Sequence, residues 1–108
     1  MEQYFLLKLS LAEKYKEEEN WTEAERKLIQ DHFIFLQQLG KDGTLILAGR
    51  TDYELNHDDL IGIALIKAAS LEFATHLLMQ DPAVKAGIQL ATIHPFKMAI
   101  EQFENKLI

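Results

Sequence analysis

Apolar positions recur at two different periods along this chain, and the alternation between them predicts the fold. Tyr4 to Leu9 is a short run of large apolar side chains, the pattern of a strand. Ala12 to Asn20 is highly charged and reads as a solvated connector. From Thr22 to Lys41, Leu28, Ile29, Phe33, Phe35, Leu36 and Leu39 fall at helical spacing, against a polar side of Lys27, Gln30, Gln37 and Gln38. Thr22-Glu23-Ala24-Glu25 has the form of a capping box. The Thr22 hydroxyl accepts from the N3 amide and the Glu25 side chain reaches back, so a helix opens here and runs to about Leu39. Gly40 and Gly43 bracket its end and supply the backbone angles a stop requires.

Thr44 to Ala48 predicts a second strand, Gly49 to Asp59 a polar loop, and Leu60 to Ile66 a third strand that is apolar throughout. Ser70 is a natural N-cap for a second helix. Its inner face is Leu71, Ala74, Leu77 and Leu78, and its outer face is Glu72, Thr75, His76 and Gln80. Asp81-Pro82 ends it and starts one more turn, with Asp as the cap and Pro in the first helical position; Gly87 closes that turn. Ile88 to His94 is a fourth strand that Pro95 stops, and Phe96 to Ile108 forms a short helix or an arm. Strand, helix, strand, strand, helix, strand is the ferredoxin-like βαββαβ order of an α+β protein. It predicts a four-stranded antiparallel sheet with two main helices on one face.

That arrangement leaves the second sheet face uncovered. Tyr4-Phe5-Leu6-Leu7, Leu45-Ile46-Leu47 and Leu60-Ile61 are apolar on both alternating sides, whereas an antiparallel strand with one wet face alternates. A second copy is the simplest cover, so the pattern predicts a homodimer packed through the open sheet face.

Composition narrows the partners and the chemistry. The 108 residues fit a single domain, 1–108. With no cysteine, disulfides, thiolate metal sites and a Cys nucleophile are excluded. A net charge of −6 argues against nucleic acid or an anionic membrane as partner. The start, Met1-Glu2-Gln3, lacks the basic region of a signal peptide, and no stretch approaches the about 18 apolar residues of a membrane span. The expectation is a cytoplasmic protein.

His32, His57, His76 and His94 form no pair at zinc-site spacing, and Asn56-His57-Asp58-Asp59 lacks the spacing of a calcium loop. Glycine-rich nucleotide motifs, Gly-x-Ser-x-Gly and a basic tract with interleaved aromatics are also absent. What remains is His32, a titratable ring inside the apolar stripe of the first helix. A ring so placed is a structural residue with a buried partner or, beside a cleft, a proton carrier. In a ferredoxin-like fold the two helices lie side by side, so a group midway along the first can meet one at the end of the second. Asp81 stands at that end. A carboxylate bonded to one imidazole nitrogen fixes the tautomer and makes the other a better base, which is the logic of an acid/base dyad. Asp81 can cap the following turn as well, since a carboxylate has several acceptor positions.

Asp81-Pro82-Ala83-Val84-Lys85-Ala86-Gly87, followed by a strand and His94-Pro95-Phe96, resembles the YciI-like (YCII-related) family. Asp31 to Gly40 is similar to that family's His-bearing first helix. Leu45-Ile46-Leu47-Ala48-Gly49 resembles its second strand and turn, and Ser70-Leu71-Glu72 the start of its second helix. The resemblance covers nearly the whole chain. It implies a dimer of the dimeric α/β-barrel type and a site built on a His and an Asp, here His32 and Asp81. It also implies kinship with enzymes that act on cyclic products of aromatic breakdown, such as chlorohydroxyquinol dehydrochlorinase, and more widely with muconolactone isomerase. The chain departs from the family pattern at Arg50, where Pro is frequent, in the polar loop Thr51 to Asp59, and in the long connector before Trp21.

The resulting expectation is a small enzyme performing proton transfer, elimination or isomerisation, on a small cyclic or aromatic-derived compound. His32 serves as base or acid and Asp81 orients it. Arg50 and Tyr53 reach an anionic or aromatic substrate from the loop, and the residues present call for no metal or organic cofactor. The alternative is a non-catalytic, dimeric small-ligand-binding or accessory domain in which His32 and Asp81 are structural. A purely structural pair predicts that neither residue borders an accessible cavity.

Overall fold

In the computed structural model, which describes residues 2–101, four antiparallel strands form one sheet in the order β2-β3-β1-β4. The strands are β1 (Gln3–Leu11), β2 (Leu45–Arg50), β3 (Gly62–Ala68) and β4 (Gln89–Phe96). Helix α1 (Glu23–Lys41) joins β1 to β2, and α2 (Leu71–Leu78) with the one-turn α3 (Pro82–Lys85) joins β3 to β4. This is the ferredoxin-like α+β arrangement. Part of the Phe96 to Ile108 segment, residues 102–108, lies outside the described residues.

The local signals act as their chemistry dictates. Thr22 and Glu25 form the capping box, with the Thr22 amide donating to Glu25 Oε1 at 2.7 Å. The Ser70 hydroxyl accepts from the Phe73 amide at 3.1 Å. Gly43 and Gly87 adopt positive φ, 86° and 79°, where α1 and α3 end. Alternation along β1 sends Phe5, Leu7 and Leu9 to one face, where they pair with Ile66, Ala64 and Gly62 of β3 and meet Ala74 and Leu78 of α2. This face holds the core; Phe5, Ile66 and Ile88 are its largest fully buried side chains.

Several boundaries and faces differ from expectation. The third strand begins at Gly62, so Leu60 and Ile61 belong to the loop before it. Pro95 does not stop β4 but pairs with Phe5 within it. Because β4 is an edge strand, a residue without an N–H is tolerated there. Leu71, expected inside α2, is exposed. The open face is mixed rather than apolar throughout: Leu6, Leu65, Leu47, Leu90 and Phe96 share it with Lys8, Lys67, Thr92 and His94. The connector is ordered rather than merely solvated. It forms two 3-10 turns (Glu13–Lys16 and Glu18–Asn20), and Trp21 Nε1 donates to the Tyr15 carbonyl at 2.7 Å with the two rings edge to face.

An irregularity in β2 decides which way Arg50 faces. The ladder between β2 and β3 shifts between Leu45 and Leu47. Leu45 pairs with Ile66 on the core face, yet Ala48 and Arg50 also reach that face, opposite Ala64 and Gly62. The extra residue reverses the facing of every later position, as a bulge does. A regular ladder carried on from the Leu45–Ile66 pair at the same chain length would point Arg50 to the open face.

Candidate active site

Helix α1 carries two adjacent stripes. Leu28, His32, Phe35 and Leu39 point inward, and His32 and Leu39 are the buried members. Arg26, Ile29, Phe33 and Gln37 lie one step around the helix and line a cavity of about 1020 Å³. Phe33 is therefore 56% exposed despite its place in the apolar pattern, and Gln37 leaves the expected outer side. The opposite wall is the core face of the sheet near Gly62, and the loop from Thr51 to Ile61 closes one side. Thr51 ties the neck of that loop. Its hydroxyl donates to the Asp59 carbonyl at 2.6 Å and accepts from the Ile61 amide at 2.9 Å.

His32 and Asp81 meet. His32 Nδ1 and Asp81 Oδ2 are 2.6 Å apart, with only 5% and 2% of the two residues exposed. The other carboxylate oxygen, Oδ1, accepts from the Ala83 amide at 2.9 Å and caps α3. The two roles fall on separate oxygens. Two buried polar groups of this kind are stable together because each satisfies the other. With an ionised carboxylate, which can only accept, and a neutral ring, this contact requires the proton on Nδ1 and leaves the lone pair on Nε2. Nε2 makes no hydrogen bond to any described residue. His32 lines the large cavity and Asp81 does not, so the carboxylate stands behind the ring as viewed from the cavity.

Arg50 and Tyr53 also line that cavity. The structure therefore brings three of the four expected residues to one space and puts the fourth behind His32. Tyr53 stacks on His57, with centroids 4.0 Å apart, and the His57 ring accepts from the Asp59 amide at 2.9 Å. The Asn56 to Asp59 segment is thus an internally bonded turn. No group of three or more His, Cys, Asp or Glu placed to hold a metal ion occurs among the described residues. No helix among them is long and apolar enough to cross a membrane.

Trp21, Arg26, Gln37 and Gln89 are among the cavity residues that the sequence pattern does not anticipate. Gln89 left a signal, because it precedes Ala91, Ile93 and Pro95 on the inward face of β4, and a polar residue in an inward register is unusual. Its Oε1 is buried and has no hydrogen-bond partner among the described residues. Arg26 lies six residues before His32, a signal that becomes readable once the second stripe is recognised.

The model of one family, the YCII-related domain, matches residues 9–97. No curated protein matches the chain. Among solved structures the fold is similar to that of a 5-chloro-2-hydroxyhydroquinone dehydrochlorinase (TftG) from Burkholderia phenoliruptrix AC1100, in complex with 2,5-dihydroxybenzoquinone. The TM-score is 0.61 at 17% identity, over 89% of this chain and 95% of that one.

Proposed function

The chain belongs to the YCII-related domain family, and from that footing we propose that it is a small-molecule enzyme with a His32–Asp81 acid/base dyad. The reaction is proton transfer, an elimination or isomerisation, on a small cyclic or aromatic-derived compound. The observation that carries this reading is the buried bond between His32 Nδ1 and Asp81 beside a cavity that His32 itself lines. The dehydrochlorinase in complex with a dihydroxybenzoquinone is consistent with a ring-shaped ligand in a fold of this kind.

In this reading Nε2 removes a proton from the bound ligand, and Asp81 stabilises the imidazolium that forms. An isomerisation returns that proton to another ligand atom. In an elimination the electron pair that the proton leaves behind forms a new double bond, and the leaving group departs with the pair of its own broken bond. Arg50 and Tyr53 hold the ligand from the loop side, and no step requires a metal or organic cofactor. Two copies pack through the open sheet faces, where Leu6, Leu47, Leu90 and Phe96 supply the apolar area.

The test is incubation in D₂O with 5-chloro-2-hydroxyhydroquinone and with a panel of small lactones, read by NMR for chloride loss, isomerisation or deuterium uptake. The native chain is expected to turn over at least one of them. His32→Gln is expected to stay folded by circular dichroism and to lose at least about 100-fold in rate. A folded His32→Gln that retains the rate overturns the dyad. Binding without turnover by the native chain makes the protein a ligand-binding domain instead.

A further inference from the structure

The chain carries 17 acidic residues against 11 basic ones, yet among the described residues its large cavity is lined by two arginines and by no Asp or Glu. Arg26 comes from α1 and Arg50 from the end of β2, so separate elements deliver the two cations to one space. Neither forms a salt bridge with a described residue; Arg26 only donates to the Trp21 carbonyl, at 3.4 Å. Guanidinium groups pair with carboxylates and similar anions through a planar fork of donors, and unpaired ones beside a low-dielectric wall attract an anion. A second observation is independent of charge. Gln89 lines the same cavity and its Oε1 is buried with no donor among the described residues, so a rotation of the amide toward the cavity lets a ligand supply the missing hydrogen bond.

We infer that the cavity selects a small organic anion that also carries a hydroxyl or N–H donor, the anion taken by Arg26 and Arg50 and the donor accepted by Gln89. The inference rests on reading this cavity as the ligand site and names the class of ligand it takes. It explains how a chain of net charge −6 accepts an anion at all. The unfavourable global charge is overridden locally, because no acidic side chain among the described residues reaches the lining.

Isothermal titration with three probes tests it: 2,5-dihydroxybenzoate, its methyl ester and 2,5-dimethoxybenzoate. The dihydroxybenzoate is expected to bind at least about tenfold more tightly than either of the others, the loss of one charge-assisted or one buried hydrogen bond. Arg26→Gln and Arg50→Gln, both at exposed positions, are each expected to erase most of the preference for acid over ester, weakening the acid far more than the ester. Gln89→Leu is expected to erase the preference for hydroxyl over methoxy. Equal affinity for acid and ester, a preference unmoved by the arginine variants, or no binding of any probe at millimolar concentration overturns the inference. These readouts are of binding, so they stand apart from the turnover of the His32 variants, which tests the dyad.

Discussion

At the scale of single residues, Asp81 does two jobs with two oxygens. Oδ2 holds His32 and Oδ1 caps α3, so removing the carboxylate orphans a ring nitrogen and a backbone amide together. Asp81→Ala is expected to cost about 2–4 kcal/mol in urea unfolding, from a lost cap and an unsatisfied buried group. Asp81→Asn is expected to cost less than half of that, because the amide oxygen still caps and the amide nitrogen can donate to Nδ1. The proton then moves to Nε2, so this variant keeps the fold but presents a donor to the cavity where the native ring presents a lone pair. His32 and Asp81 were legible because each is marked locally: a titratable ring within an apolar stripe, and an Asp-Pro pair where one helical segment ends and another starts. Arg26 and Gln89 were not, since their importance depends on which wall of a cavity they share.

At the scale of elements, caps were the most legible features and strand ends the least. Caps are short-range chemistry. Strand ends are settled by partners far along the chain, which is why Gly62 and not Leu60 opens β3 and why Pro95 is held within an edge strand. The N-terminus of α1 offers a pH test. The Thr22 hydroxyl and amide hold the Glu25 carboxyl down from its ordinary value to about 2. A depressed folded-state pKa gives stability that is present above the unfolded value of 4.5 and is lost as pH falls through about 2. The stability gap between the native chain and Glu25→Gln is therefore expected to be constant above pH 4.5 and to shrink between there and about 2, as followed by urea unfolding at a series of pH values. A gap that does not change over that window contradicts the assignment.

For the whole molecule, one sheet separates two different surfaces. On the helix side lie the core and the cavity; the other side is a mixed apolar and basic face. If that second face joins two copies, sedimentation at micromolar concentration is expected to give a dimer. Leu6→Lys, which pairs on that face with Leu65 and His94, is expected to shift the protein to a folded monomer. A monodisperse monomer for the native chain removes the dimer. The architecture was readable from the order of periodic segments, but the bulge in β2 was not, because register is a relation between strands. That single extra residue has an evolutionary consequence. Regular pairing of β2 from Leu45 onward, at constant length, exchanges the outlook of Arg50 and Gly49 across the sheet, whereas deleting the extra residue leaves Arg50 opposite Gly62. Relatives that differ only in this register can thus part company in ligand preference while every side chain stays the same, so a slip here acts as a specificity mutation.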